Sequence, residues 1–106
     1  MIEIKQKKNN VYRFFIKAKS GKTLLKSIPF SSKDSIEKFL KFLKDNKEVN
    51  EKLFERKTNA DGKFLVELKN SLGEIVGCSG LYSSEAGMEN GILNIFKSID
   101  FGSKKI

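Results

Sequence analysis

Histidine and tryptophan are absent from this 106-residue chain, and cysteine occurs once, as Cys78. The commonest general base and metal ligand is therefore missing. A lone thiol without a second cysteine or a histidine supports neither a disulfide, a metal cluster nor an activated nucleophile. Cys78 follows Val76-Gly77 in a strand-like run and reads as a small packed residue. Glu85 and Glu89 fall one turn apart on a helix face. Without further oxygen ligands nearby they read as a solvated face, not a cation site. The chain contains no Gly-rich phosphate loop, Ser-His-Asp set or Cys-x-x-Cys pair. No catalytic residue, cofactor or metal is expected, and the chain reads as non-enzymatic.

Charge is the chemistry that remains. The chain carries 21 Lys and Arg against 13 Asp and Glu, a formal +8. Residues 1–52 hold 14 basic and 6 acidic side chains and residues 53–106 hold 7 and 7, so the whole excess lies in the first half. Such a face meets nucleic acid, an anionic surface or an acidic protein. Only Arg13 and Arg56 are arginine; arginine is preferred for bidentate reading of base edges, so any nucleic-acid contact is expected to lack sequence preference. A/T-rich coding also yields Lys, Ile and Asn in excess, and a solvated Lys-rich surface is the alternative. Arg13, Phe15 and Lys17 alternate with Tyr12, Phe14 and Ile16, and an aromatic flanked by cations on a strand is how sheet platforms stack bases and hold phosphates. Leu65, Glu67 and Lys69, 52 positions further on, break that pattern. Phe15 is expected to lie under a helix or the other half of the chain, with the stacking platform as the alternative.

The elements that position these residues follow from an internal repeat. Shifting the sequence by 52 residues lays Tyr12–Lys17 on Phe64–Lys69, Gly21 on Gly73, Ser27 on Ser79, Phe30-Ser31-Ser32 on Tyr82-Ser83-Ser84 and Glu37 on Glu89, without a gap. This reads as a tandem duplication. Each unit predicts three strands and a helix, with a turn at Asn9-Asn10, hairpin glycines at Gly21 and Gly73, and third strands at Thr23–Ser27 and Ile75–Ser79. Ser32 and Ser84 stand at N-cap positions; helix-start amides attract anions, but ordinary capping accounts for both serines. Ile36, Phe39, Leu40 and Leu43 mark the buried face of the first helix, and Met88, Gly91, Ile92, Ile95 and Ile99 that of the second. Gly87 and Gly91 are expected to let the second helix approach the sheet closely. A unit of this size buries too little surface to stand alone. The expected fold is therefore α+β, a tandem duplication of a β-β-β-α unit with antiparallel strands, two helices and pseudo-twofold symmetry. It forms one domain over residues 1–106. Residues 1–49 are its basic first repeat, 53–101 its neutral second, 102–106 a loose tail, and Lys44–Lys52 a charged link.

Tyr82-Ser83-Ser84-Glu85-Ala86-Gly87-Met88-Glu89-Asn90-Gly91-Ile92, preceded by Asp61-Gly62-Lys63-Phe64 and Gly73-Glu74-Ile75-Val76-Gly77, resembles the repeat of the YegP-like proteins, small bacterial proteins often built of two such units in tandem. The resemblance covers most of the chain and is closer in the second unit. The first has Lys38-Phe39-Leu40 where the family has Asn-Gly-Ile, and carries Pro29 where the family has no fixed proline. The Ser-Glu pair usual after the third strand is replaced by Ser27-Ile28 and Ser79-Gly80. The resemblance implies the tandem fold and no activity, since the family is functionally uncharacterised.

The expected function is a binding or accessory module whose first half contacts an anionic partner, nucleic acid bound non-specifically or an acidic protein. The residues expected to carry it are Lys5, Arg13, Phe15, Lys17, Lys19 and Lys22, within a wider basic set that adds Lys7, Lys8 and Lys26. The alternative is a protein-interaction or self-associating module using Leu93 and Phe96, which fall beside the second helix's buried stripe. A monomer or weak homodimer is expected. Met1–Lys5 is already charged and lacks the apolar run of a signal peptide, and no run approaches the ~20 apolar residues of a spanning helix. A cytoplasmic protein without membrane contact is expected.

Overall fold

The computed structural model describes residues 1–45 and 50–99. The alternation of Tyr12, Phe14 and Ile16 with Arg13, Phe15 and Lys17 is the period-two pattern of a strand with one dry face, and these residues form β2 (Val11–Lys17). β1 (Ile2–Lys7) pairs antiparallel with it, setting Ile2 against Ile16 and Ile4 against Phe14. Asn9 and Asn10 connect the two with φ of 63° and 57°, a left-handed region that asparagine enters more readily than most residues. β3 (Thr23–Ser27) returns after a turn at Gly21, where φ is 93°. After α1 (Lys33–Asp45) come β4 (Phe54–Thr58), β5 (Phe64–Lys69), β6 (Ile75–Ser79) and α2 (Glu85–Ile99). The strands make one antiparallel sheet in the order β1-β2-β3-β6-β5-β4. The fold is α+β, and the described residues form six antiparallel strands with α1 and α2 as its two main helices.

Both helices start as the serines predict. Ser32 Oγ accepts the amide of Ser35 and Ser84 Oγ that of Gly87, each at 3.0 Å, satisfying a first-turn donor that has no partner within the helix. Asn50, fully buried, donates from Nδ2 to the carbonyls of Phe42 (2.7 Å) and Leu43 (3.0 Å) near the end of α1. The expected charged link thus contains a buried cap. Residues 46–49 of that link, and residues 100–106 with the expected tail, lie outside the described residues.

Phe14 and Ile16 of β2, Leu25 of β3, and Val66 and Leu68 of β5 pack in one cluster with Ile36, Leu40 and Leu43 of α1 and Met88, Ile92, Ile95 and Ile99 of α2. Burying each such side chain contributes about 1.5–3 kcal/mol. The cluster uses one face of the sheet, so α1 and α2 lie on that face, and among the described residues no helix covers the opposite, open face. Alternation fails at one place in each half. The β2–β3 register slips between Ile16 and Lys17, and the β5–β6 register between Leu68 and Lys69. The extra residue lets Leu24 and Leu25, and likewise Val76 and Gly77, both turn inward.

Further features recur 52 residues apart. Buried Ser27 Oγ accepts the amide of Phe14 and Ser79 Oγ that of Val66, each at 2.9 Å. At the sheet centre Lys26 faces Cys78, flanked by Leu25–Ser79 and Ser27–Gly77. A Cβ on Gly77 would fall 2.8 Å from the Lys26 carbonyl oxygen, so this strand pairing requires glycine there. Gly91 serves a different end from the one expected. Its missing Cβ makes room for the Tyr82 ring, whose Cζ would lie 2.6 Å away, and burial of that ring raises the phenol's pKa. The matching first-half residues are Phe39 and Phe30, and with no glycine gap both rings turn onto Phe14, with centroids 6.2 and 6.1 Å away.

Candidate functional site

The residues that β1, β2 and β3 point away from the core meet on the helix-free face. Strand register places Lys5 opposite Arg13 and Lys7 opposite Val11, while Phe15 lies between Glu3 on β1 and Lys26 on β3. Phe15 is half-buried. Among the described residues its cover is neither a helix nor the other half of the chain, which the sequence led us to expect, because α1 and α2 occupy the face of Phe14 and Ile16. The ammonium groups of Lys5 and Lys7 instead lie over the ring, 5.5 and 5.9 Å from its centroid. Attraction to the ring's negative face contributes about 0.5–1 kcal/mol per such contact at an exposed site.

Beside this ring is a groove of about 550 Å³. Val11, Phe15 and Pro29 supply its apolar lining, and Lys7, Lys8, Arg13 and Lys26 its cations. Arg13 Nη1 donates to the Ser27 carbonyl at 3.2 Å, tethering the guanidinium to β3. Among the described residues no carboxylate pairs with these four cations within 4.0 Å. The nearby carboxylate, Glu3, takes Lys17 at 2.8 Å and Lys5 at 3.7 Å. The hydrogen bond from Lys17, outweighing partial desolvation, holds the Glu3 carboxyl below its ordinary pKa.

The same face of the second half is neutral. Glu55 binds Lys69 at 2.7 Å and Lys57 at 3.1 Å, and Glu67 stands across from Glu55. Glu67 and Leu65 occupy the places that Phe15 and Arg13 hold in the first half. Hydrogen bonding from Lys69, then Lys57, lowers the Glu55 pKa. Charge on the open sheet thus changes from basic to balanced between its two ends.

The sequence-predicted residues divide. Lys5, Arg13 and Phe15 come together on the open face, and Lys17 joins them while committed to Glu3. Lys19 and Lys22 lie in the β2–β3 turn, where the Lys22 carbonyl closes the hairpin to the Ala18 amide at 2.9 Å. Lys19 lines a separate concavity of about 440 Å³ with Lys97 and Ser98. Pro29 and the placement of Lys26 beside Phe15 escaped sequence reasoning. Strand register alone brings Lys26 there.

Other expectations need correction. Cys78 is exposed, not packed, because the bulge turns Val76 and Gly77 inward and leaves Cys78 on the open face. Glu89 is not merely solvated. Arg56 grips it with Nε and, at 2.9 Å, with Nη2, joining β4 to α2 on the helix side and lowering the Glu89 pKa. Leu93 is 58% exposed, whereas Phe96 is half-buried edge-on against Phe54, with centroids 5.2 Å apart. Among the described residues no group of three His, Cys, Asp or Glu side chains is placed to hold a metal ion, and no helix is long and apolar enough to cross a membrane.

Residues 59–98 match the family model described as a domain of unknown function (DUF1508). The chain is 34% identical over 93 residues to the UPF0339 protein YegP of Escherichia coli K12, covering 88% of this chain and 84% of that protein. It belongs to the YegP family. The solution structure of E. coli YegP, itself a protein of unknown function, superposes with a TM-score of 0.81 at 31% identity, covering 97% of this chain and 94% of that one. The UPF0339 protein SO3888 of Shewanella oneidensis shares the fold, with a TM-score of 0.80 at 24% identity over 98% of this chain and 85% of that one. The YegP family has no assigned function in these relatives, so the open face must be read on its own chemistry.

Proposed function

We propose that the chain is a non-enzymatic binding module that holds an anionic polymer, nucleic acid contacted without sequence preference, on the basic end of its open sheet. The observation that carries this is the groove beside Phe15, where four cations that have no carboxylate partner among the described residues surround an apolar lining. Cations left uncompensated on a concave face attract phosphate, whereas Lys57 and Lys69 on the same face of the second half are already paired with Glu55. Lysine-dominated contact neutralises charge without reading bases. A reducing cytoplasm suits an exposed, unpaired Cys78.

The same reading takes the chain as one domain made by duplication of a β-β-β-α unit, its pseudo-twofold passing between Lys26 and Cys78. The paired serine bonds, the paired bulges and the 52-residue sequence match support it. On this view only the first copy bears the binding face.

Fluorescence anisotropy with labelled oligonucleotides tests the proposal. Four phosphates neutralised on a single strand give a slope of log K against log salt of roughly −3. Lys7→Glu and Lys26→Glu weaken binding, while Lys63→Glu, the same charge change on the β4–β5 turn, leaves it unchanged. Absence of binding even at low salt would sink the proposal.

A further inference from the structure

Resting on that reading, we infer that the groove selects single-stranded over duplex nucleic acid, and that each chain holds one strand with an unstacked base on Phe15. Charge alone does not explain the groove's composition. A site built only for phosphates needs no aromatic lining, yet Phe15 lies half-buried within a ring of cations, beside Val11 and Pro29. A duplex turns its phosphates outward and hides its base faces in the stack, so it offers this ring nothing. A single strand offers both, and aromatic side chains take up such bases whatever their identity.

The surroundings also set the strand's path. Glu3 borders Phe15 on the β1 side and already engages Lys17 and Lys5, while Lys26 borders it on the β3 side with no carboxylate partner among the described residues. The backbone therefore runs from the Lys7-Lys8 turn past Arg13 to Lys26, avoiding Glu3. A base entering over the ring displaces the ammonium groups of Lys5 and Lys7, whose flexible stems let them move to the adjoining phosphates. Glu67 replaces Phe15 and Cys78 replaces Lys26 in the second half, so a second strand has no equivalent seat.

The absence of native tryptophan gives a clean test. The Phe15→Trp variant carries a single indole at the platform. Oligo(dT) of about 12 nucleotides, within the range that single-strand-binding folds occupy, is expected to quench its fluorescence and saturate at one strand per chain, whereas a blunt duplex of equal length is not. Phe15→Leu, checked for folding by circular dichroism, is expected to weaken oligo(dT) binding about tenfold and to leave duplex binding within about twofold. Inorganic polyphosphate, oligo(dT) and duplex binding equally, with no quenching and no effect of Phe15→Leu, would overturn this inference while the basic-face reading survived. Equal binding by poly-glutamate would overturn it in favour of an acidic protein. No binding of any probe would overturn both.

Discussion

Phe15 and Glu89 illustrate how neighbours, not residue type, assign a side chain its work. Sequence alternation correctly puts Phe15 on the face opposite Phe14, but only the folded sheet leaves that face without a helix and gathers Lys5, Lys7 and Lys26 around it. Glu89 lies on an exposed helix stripe in the sequence, and Arg56, 33 residues earlier, reaches it from β4. The hydrogen bond from Arg56 outweighs desolvation and holds the Glu89 carboxyl below the ordinary value of 4.5. A depressed folded-state pKa contributes stability above the unfolded value, and that contribution fades as pH falls through the folded pKa. Carboxyl-detected NMR titration should therefore find Glu89 below the usual range and find it raised by Arg56→Gln. The stability lost in that variant at neutral pH should shrink once the pH drops beneath 4.5.

At the scale of elements, strands, turns and helices were legible because each rests on local chemistry: period-two alternation, left-handed Asn and Gly, serine caps. The third strands came out at Thr23–Ser27 and Ile75–Ser79 as read. The bulges were not legible, since Leu24-Leu25 and Val76-Gly77 look like any apolar pair until the strand register shows one residue too many. Ser27 and Ser79 were visible as matched positions but not as acceptors for the Phe14 and Val66 amides, a bond made across strands. Replacing either serine by alanine leaves a buried amide without its acceptor, a loss of about 1–3 kcal/mol. Urea unfolding of Ser27→Ala and Ser79→Ala should show comparable losses in the two halves. A negligible effect in both would mean that water or the backbone takes over the bond.

Across the whole molecule, two halves with matching hydrogen bonds carry different charge. The split was readable from composition, with the excess of 8 positive charges confined to residues 1–52. What composition could not show is that Lys19 and Lys22 leave the face with the β2–β3 turn while Lys7, Lys8 and Lys26 converge on it. Nor could it show that Glu3 and Glu55 neutralise lysines at both ends of the sheet, leaving the groove cations of the first half uncompensated. This asymmetry of charge is what favours binding at one end of the open sheet. The direct test is a nitrogen-15 NMR titration of the intact chain with oligo(dT) at low salt. Shifts are expected to concentrate at Lys7, Lys8, Arg13, Phe15 and Lys26 and to diminish as salt rises, with β4 and β5 unmoved. Shifts centred on α2 around Leu93, or none at all, would contradict binding at this end of the sheet.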